Sequence, residues 1–329
     1  MKATFCAVLV CLLMADFGYA QAPAPAAPAA APAAAVPAPA PAPAPAVAAP
    51  VQTPAAAPAP APAAAAPAAQ APEWTYARYM ELAKATGRKM DISEDAFKKV
   101  QQRREKVIKR IDEYLVGKFK TAQPEVMQAF KDVPREYFHY NYEGKFNTVG
   151  NAYDAEAKPW GLGYGSVMSD YLGQAYMTQL AQPKATDVVL EIGTGSGFQI
   201  SLLSRIVKEA YSIEIIEPIG KGVGELFKPI GYSNVHTKVG DGYFGWPEVK
   251  DGFDIIMVTC AARYVPPALL EQLKPNGKLI IPVGSPIRGT QTLFVYTKDA
   301  EGKVHSRRDV GVHFIPMKGA VEKNPKPAN

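Results

Sequence analysis

The sequence predicts an α/β protein built on a doubly wound, mostly parallel sheet, and three observations support this prediction. In the second half of the 329-residue chain, apolar runs typical of buried strands alternate with stretches of helical periodicity. The first apolar run, residues 188–192, leads into a segment whose apolar residues recur at helical spacing. Three glycines lie between the two. Because ligands of such sheets bind where the strands end, this junction is a predicted site.

The other strands are expected in order along the chain. The apolar runs place them at residues 210–215, 234–240, 253–262, 277–284 and 292–298, with a final strand within 305–317. Between the fourth and fifth strands, Pro266 and Pro267 predict the start of a helix, and Gly277 predicts its end.

The beginning of the chain has the pattern of a secretory signal peptide. Lys2 precedes an uncharged run that ends at Ala15, and small residues stand three and one positions before Gln21. We therefore expect a signal peptide at residues 1–20 and a periplasmic or secreted protein. The run is shorter than the roughly 20 apolar residues of a membrane span, so no span is expected in the mature chain. An uncleaved anchor is the alternative.

Residues 21–72 consist almost entirely of alanine and proline and carry no charge. Such a segment cannot bury a core, and we expect a disordered spacer with polyproline II character. We expect an N-terminal helical region at residues 73–182, the ligand-binding sheet domain at 183–318 and a disordered tail at 319–329. The folded part is long enough for one α/β domain with added helices.

The formal net charge is +5, and basic residues are concentrated at positions 98–110. Apolar residues of the same segment keep to one helical face, and Ser93 is a plausible N-cap. The pattern favours a packed helix with a solvated basic face over a site for an acidic partner. No nucleic-acid partner is predicted.

Cysteine and histidine usage argues against disulfides and metals. Cys6 and Cys11 lie in the predicted signal peptide, so the mature chain keeps only Cys260 and no intrachain disulfide is possible. The four histidines are scattered without the spacing of metal ligands, and no metal site is predicted.

The glycine-rich junction contains Gly193, Gly195 and Gly197. Glycine permits positive φ and a close approach of ligand to backbone, so the junction is a predicted ligand cradle. A dinucleotide fingerprint would need a further glycine at Phe198, which weakens the interpretation as an NAD site. A structural turn without a ligand is the alternative.

Acidic residues end the next two strands. Glu214 follows the glycine loop by about 20 residues, and a carboxylate there can accept hydrogen bonds from both hydroxyls of a ribose. Glu217 is a nearby competitor for this role. Asp241 and Gly242 end the third strand, where Asp241 is placed to accept from an adenine amino group. The alternatives are a solvated glutamate and a plain Asp-Gly turn.

The fourth strand ends in Thr259, Cys260 and Ala261, which we expect to line the cleft. Cys260 has no evident histidine base in the sequence. It is therefore interpreted as a small buried side chain rather than a nucleophile.

Five segments together resemble the protein-L-isoaspartate O-methyltransferases, over roughly residues 130–318. They are VLEIGTGSGFQ, VGDGYFGWPE, FDIIMVT, PPALLEQLKPNGKLIIPVG and VGVHFIPM. The resemblance implies a Rossmann-like fold that binds S-adenosyl-L-methionine (AdoMet), with added N-terminal helices. It also implies methylation of the carboxylate exposed at isoaspartyl residues of damaged proteins or peptides, by a monomer that is usually cytoplasmic. The implied cofactor residues are Glu191, Gly193, Gly195, Gly197, Glu214, Asp241, Gly242 and Thr259.

The segment before the first strand of the sheet resembles the family's substrate segment. Ser169 stands at the serine position taken as catalytic, and the implied substrate contacts are Ser166, Tyr171 and Ala261. An N-cap of the following helix is the alternative role of Ser169. Four residues depart from the family pattern, namely Ser166 for glutamine, Val167 for threonine, Met168 for isoleucine and Tyr171 for proline. We expect Tyr171 to reshape the peptide groove.

Two further functions stay open at this point. The departures near Ser169 allow a carboxyl methyltransferase for one dedicated protein or peptide partner. The predicted signal peptide allows a binding module of the cell envelope that has lost catalysis.

Overall fold

The computed structural model describes residues 73–89, 91–285 and 290–323, which belong to one compact unit. The predicted signal peptide and the Ala/Pro-rich spacer lie outside the described residues. No helix in the described part of the chain is long and apolar enough to cross a membrane.

Three helices open the described chain: α1 Tyr76–Ala85, α2 Glu94–Phe119 and α3 Pro124–Asp132. The side chain of Ser93 accepts a hydrogen bond from the backbone N–H of Ala96, which confirms the predicted cap of α2. Buried residues on one face of α2 recur at three- and four-residue spacing, as the amphipathic pattern predicted, and are Phe97, Val100, Val107, Ile111 and Leu115.

The basic face of α2 is only partly solvated. Arg103 and Arg104 each donate to a backbone carbonyl at 2.6 Å, of Gly150 and Lys131 respectively, and Arg110 donates to the carbonyl of Ala155. Arg110 is nevertheless exposed, as predicted for a solvated face, whereas Arg103 and Arg104 are half-buried. The three guanidinium groups supply donors to backbone carbonyls of neighbouring segments.

Two small hairpins and a helix follow. A 3₁₀ turn at Arg135–Phe138 leads into β1 Tyr140–Asn141 and β2 Phe146–Asn147, and a second hairpin pairs β3 Trp160–Gly163 with β4 Ser166–Met168. Helix α4 then spans Tyr171–Ala181. Leu162 of β3 is buried against the glycine loop of the main sheet. The second hairpin therefore brings the substrate segment over the predicted cradle.

The main sheet has seven strands. In chain order its elements are β5 Val188–Ile192, α5 Phe198–Ser204, β6 Glu209–Glu214, α6 Glu217–Ile230, β7 Val235–Val239, β8 Phe253–Val258, α7 Pro267–Glu271, β9 Leu273–Val283, β10 Gln291–Lys298 and β11 Val304–Val312. The spatial order is β11-β10-β9-β8-β5-β6-β7, and only β10 runs antiparallel to its two neighbours, β9 and β11. The doubly wound, mostly parallel sheet is thus confirmed. Because β5 lies between β6 and β8, its end is the point where the winding reverses.

Alternate residues of β5 enter the cores on the two sides of the sheet. Val189 belongs to the larger apolar cluster, which includes α4 and α5, whereas Leu190 and Ile192 belong to the cluster beneath α7. Burial on both faces explains why the sequence shows a continuous apolar run rather than an alternating one.

Two boundaries differ from prediction. Helix α7 ends at Glu271 rather than at Gly277, because Leu273 already pairs with Phe253 and the chain bulges before Lys278 pairs with Ile255. The start of the tail predicted as disordered instead forms helix α8, Ala320–Lys323, and residues 324–329 lie outside the described residues. Its Val321 is buried in the second cluster, which supplies the apolar contact that orders it.

Candidate active site

The three glycines after β5 all have positive φ, of 100° at Gly193, 53° at Gly195 and 84° at Gly197. A Cβ on Gly193 would lie 2.6 Å from Thr259 Oγ1, and one on Gly197 would lie 2.8 Å from Val223 Cγ1. At Gly195 the nearest atom would be 3.6 Å away. Packing therefore excludes a side chain at Gly193 and Gly197, whereas a Cβ on Gly195 would be in ordinary contact with Leu162 of the β3–β4 hairpin.

Glu214 extends from the end of β6 toward this loop and is only 4% exposed. Its Oε2 accepts from the backbone N–H of Gly195 at 2.8 Å, and its Oε1 accepts from that of Ile216 at 2.9 Å. Burial is the largest influence on its pKa and raises it, although the backbone hydrogen bonds oppose this. The competitor Glu217 instead lies on the surface in an ion pair with Lys221.

Asp241 stands at the carboxyl end of β7 and binds two backbone N–H groups. Its Oδ1 accepts from Tyr243 at 2.9 Å and its Oδ2 from Ala320 at 2.7 Å. Each carboxylate oxygen can accept more than one hydrogen bond, so these contacts do not exhaust the acceptor capacity of Asp241. They also show that the predicted nucleoside contact anchors the start of α8.

A cavity connects these elements. Three segments line it, at residues 166–170, 191–196 and 313–318, together with residues of α4 and Glu214, Gly242, Thr259 and Cys260. The structure thus brings together most of the predicted site residues, including Ser169. Four of them do not line the cavity, namely Tyr171, Gly197, Asp241 and Ala261.

Ser169 is not the cap of α4. That helix begins at Tyr171, and Asp170 Oδ1 accepts from the backbone N–H groups of Leu172 at 3.0 Å and Gly173 at 2.9 Å. The alternative capping role of Ser169 is therefore wrong, because the stronger acceptor follows it directly. Ser169 stands at the cavity wall, and its carbonyl accepts from Arg135 Nη2 at 2.8 Å.

Tyr171 lies behind the substrate segment rather than on the cavity surface. Its hydroxyl donates to the carbonyl of Asp154 at 3.0 Å and accepts from Arg110 Nη1 at 3.1 Å. These contacts tie the start of α4 to helix α2. The structure thus places the residue that replaces the family's proline in a scaffold position.

Sequence reasoning missed several lining residues. Asp170, Gln174 and Met177 line the cavity from one face of α4, and their spacing of four and three residues could have identified them once Ser169 was placed. Lys318 is also in the lining. Ala261 exchanges backbone hydrogen bonds of 2.8 Å with Ile315 and Met317, and this pairing brings the C-terminal segment to the cleft.

The Cys260 thiol lies in the cavity lining, and burial together with nearby acidic groups raises its pKa. A thiol of this kind stays protonated and is a poor nucleophile, as the sequence indicated. Within residues 73–89, 91–285 and 290–323, no three His, Cys, Asp or Glu side chains are grouped to hold a metal ion.

Glu191 is a buried carboxyl group at the base of the cavity. Its Oε2 accepts from Ser212 Oγ at 2.6 Å, while its buried Oε1 has no hydrogen-bond partner in the described part of the protein. Desolvation by burial raises its pKa well above 4.5. An unpaired polar atom in a cavity wall is suited to a polar group of a ligand.

This arrangement predicts a pH-dependent effect of Glu191→Gln on stability. A carboxyl whose pKa is raised in the folded state loses its stabilising contribution as pH rises through that folded value. We therefore expect the free energy of unfolding of the variant to exceed that of the parent protein by about 1–3 kcal/mol at about pH 8. The two proteins should differ little near pH 4.5, the ordinary pKa of a glutamate side chain. Urea unfolding at both pH values measures this, with the exposed Glu301→Gln as control. An equal difference at both pH values would contradict it.

Comparisons with known proteins agree with this geometry. The sequence model of the protein-L-isoaspartate(D-aspartate) O-methyltransferase family matches residues 102–322. Protein-L-isoaspartate O-methyltransferase 1 of Nitrosospira multiformis is 47% identical over 161 residues, which cover 49% of this chain and 67% of that relative. Protein-L-isoaspartate O-methyltransferase 2 of Syntrophobacter fumaroxidans is 42% identical over 201 residues, or 61% of this chain and 78% of that relative.

Two solved structures share the fold. A protein-L-isoaspartate O-methyltransferase superposes with a TM-score of 0.57 at 24% identity, covering 66% of this chain and 67% of that one. A Plasmodium falciparum protein described as a putative member of the same group, in complex with S-adenosyl-L-homocysteine, gives 0.52 at 21% identity and covers 64% and 97%.

Proposed function

Since the chain belongs to the protein-L-isoaspartate(D-aspartate) O-methyltransferase family, we propose that its cleft transfers a methyl group from AdoMet to the carboxylate of L-isoaspartyl residues in damaged proteins or peptides. The observation that carries this proposal is the single cavity shared by the glycine loop, Glu214 and Ser169. A cofactor side and an acceptor side thus face each other across one space.

The cofactor side fits AdoMet. Gly195 lines the cavity without a side chain, so a ligand can approach its backbone, and Glu191, which also lines the cavity, has an Oε1 without a hydrogen-bond partner in the described part of the protein. Glu214 and the segment beginning at Asp241 would hold the ribose and the adenine, respectively. When bound, AdoMet supplies a methyl group on a sulfonium centre, which is electrophilic without help from the protein.

The acceptor side needs no general base. A carboxylate is ionised near neutral pH and can attack directly, so neither His313 nor Lys318, which line the cavity, is needed as a base. The task of Ser169 and its neighbours is to hold the acceptor in line with the methyl group. Alignment of two bound reactants can contribute roughly 7–11 kcal/mol toward lowering a barrier.

The Ser169→Ala variant tests the acceptor side. We expect kcat/KM for an isoaspartyl peptide to fall about tenfold, because a hydrogen bond to a charged group is lost, while AdoMet affinity stays unchanged. Labelled-methyl transfer and calorimetry measure the two quantities. Ser233→Ala, which removes an exposed hydroxyl before β7, is the control. Full activity of Ser169→Ala would remove Ser169 from the proposed site.

The labelled-methyl assay on isoaspartyl, aspartyl and unmodified peptides tests the function itself. Transfer to isoaspartyl peptides of diverse sequence supports repair, whereas transfer to one protein or peptide alone supports a dedicated partner. Ser166 and Val167 line the cavity in place of the family's glutamine and threonine. These departures are the reason for testing a dedicated partner as the second candidate function. An inactive binding module would show no transfer to any of them.

We further propose that the protein acts outside the cytoplasm as a monomer, after removal of residues 1–20 and with residues 21–72 as a spacer. The charge pattern before Gln21 and the Ala/Pro-rich composition support this proposal. N-terminal sequencing of the mature protein, cell fractionation and sedimentation test it. An intact Met1 in a cytoplasmic fraction would overturn it.

A further inference from the structure

Arg135 is a buried cation beneath the substrate segment, and its side chain binds only neutral groups. It is 2% exposed. Its Nε donates to the carbonyl of Ala152 at 3.1 Å, its Nη1 to Gln174 Oε1, and its Nη2 to the carbonyl of Ser169 at 2.8 Å. Within the described residues, no carboxylate lies at ion-pair distance from it.

An unpaired buried cation is costly, because the protein interior replaces water poorly around a full charge. Burial lowers the pKa of Arg135 to about 10, so the group stays charged near neutral pH. The aromatic ring of Phe198 lies 5.1 Å from the guanidinium carbon and that of Tyr171 lies 6.0 Å from it. These rings offset only part of the cost.

Asp170, the acid that most influences Arg135, does not form an ion pair with it. Asp170 raises the pKa of Arg135 through space, but its Oδ1 binds the first N–H groups of α4. The positive charge therefore lies behind the loop that carries Ser169, and Gln174, the partner of Nη1, is itself part of the cavity wall.

The position of Arg135 is held from several sides. Its backbone N–H donates to the hydroxyl of Tyr153 at 3.0 Å. Gln174 is connected in turn to α5, the helix after the glycine loop. Its backbone carbonyl accepts from Thr178 Oγ1 at 2.7 Å, and Thr178 Oγ1 accepts from Gln199 Nε2 of α5 at 2.9 Å. The guanidinium thus lies in a buried network that reaches both sides of the cleft.

We propose that Arg135 is a positioning residue for the methyl transfer: it fixes Ser169 through its carbonyl, and its unpaired charge favours an acceptor that carries a carboxylate. The inference rests on the proposed function, since it assigns the missing counter-ion to the substrate. It accounts for an otherwise unpaired charge. It also gives Tyr171 a role, as the ring that covers the guanidinium from the start of α4.

The experiment compares two peptides of one sequence, with the isoaspartyl carboxylate either intact or replaced by a carboxamide. Their dissociation constants are measured on the full chain by calorimetry, with S-adenosyl-L-homocysteine present so that no transfer occurs. Because the peptides differ in one charge, their ratio reports the electrostatic contribution and not general damage to the site. Arg135→Met removes the charge, whereas Arg135→Lys keeps it but cannot reproduce the planar, forked hydrogen bonds.

We expect the parent protein to prefer the carboxylate peptide, and Arg135→Met to reduce that preference about tenfold. Arg135→Lys should keep the preference within about threefold while its kcat falls about tenfold, because Ser169 is less firmly held. AdoMet affinity should change less than about threefold in both variants. Arg88→Met is the matched control, since Arg88 is also buried and donates to a carbonyl, that of Tyr137, away from the cavity.

An unchanged peptide preference in Arg135→Met would overturn the inference, as would an equal loss in Arg88→Met. If Arg135→Met does not fold, Arg135→Lys decides alone: a lowered kcat with preserved preference supports the inference, and an unchanged kcat overturns it. Failure of the proposed function would look different. In that case the parent protein itself would transfer no methyl group to the carboxylate peptide.

Discussion

Replacing Gly195 with valine is expected to weaken AdoMet binding at least about a hundredfold, by filling the space beside the glycine loop. An added side chain would project toward Leu162 and the carbonyl of Val167, where the β3–β4 hairpin covers the loop. It would also have to adopt φ near 53°, which costs a β-branched residue about 1–2 kcal/mol. The loss of affinity should therefore exceed the loss of stability.

Calorimetry with AdoMet on the full chain measures the affinity, and urea unfolding measures the stability. Gly117→Ala is the control, because Gly117 lies in α2 with no atom within 4 Å of an added Cβ. That change should stabilise the helix by up to about 1 kcal/mol and leave affinity unchanged. Tight AdoMet binding by Gly195→Val would show that the cofactor does not lie against this loop.

Glu214→Gln is expected to weaken AdoMet binding about a hundredfold, because the carboxylate serves two purposes. Its Oε2 accepts from the N–H of Gly195 and its Oε1 from that of Ile216. Each oxygen can accept a further hydrogen bond from a ribose hydroxyl. An amide replaces one acceptor by a donor, and in either orientation that donor would face a backbone N–H, of Gly195 or of Ile216. One of these two hydrogen bonds must then be lost, and only one side-chain oxygen remains to accept from the ribose.

The matched control is Glu217→Gln, three residues further along the chain. Glu217 is exposed, pairs with Lys221 at 2.6 Å and has a pKa lowered mainly by that partner. Its replacement should leave AdoMet affinity unchanged, because exposed ion pairs contribute little. Equal losses in the two variants would argue against a ribose contact by Glu214.

The comparison of these two acids shows what spacing alone could establish. The sequence placed a carboxylate about 20 residues after the glycine loop, and the spacing favoured Glu214 while Glu217 stayed a nearby competitor. Glu214 ends β6 beside the loop, whereas Glu217 begins the exposed first turn of α6. The choice depended on where the strand ended and which way each side chain pointed.

The substrate segment shows the limit of motif reasoning more clearly. The family pattern identified Ser169, but the cap of α4 proved to be Asp170, and the replacement of proline by Tyr171 proved to concern the scaffold. Nothing in the local sequence indicated that Arg135, 34 residues earlier, holds the carbonyl of Ser169. That contact exists because the Arg135 side chain reaches from the 3₁₀ turn to Gln174 of α4 and to the loop before it.

The amino-acid sequence by itself determined the doubly wound sheet, the glycine loop and the order of the acids at the strand ends. Hydrophobic periodicity and glycine conformational freedom are local properties, so each could be recognised within a short segment. Only the tertiary structure decided which acid faces the cavity, how α8 is anchored on Asp241, and that the buried charge of Arg135 lies behind Ser169. These depend on contacts between residues distant in sequence, whose energies arise from burial and mutual geometry that no short segment specifies.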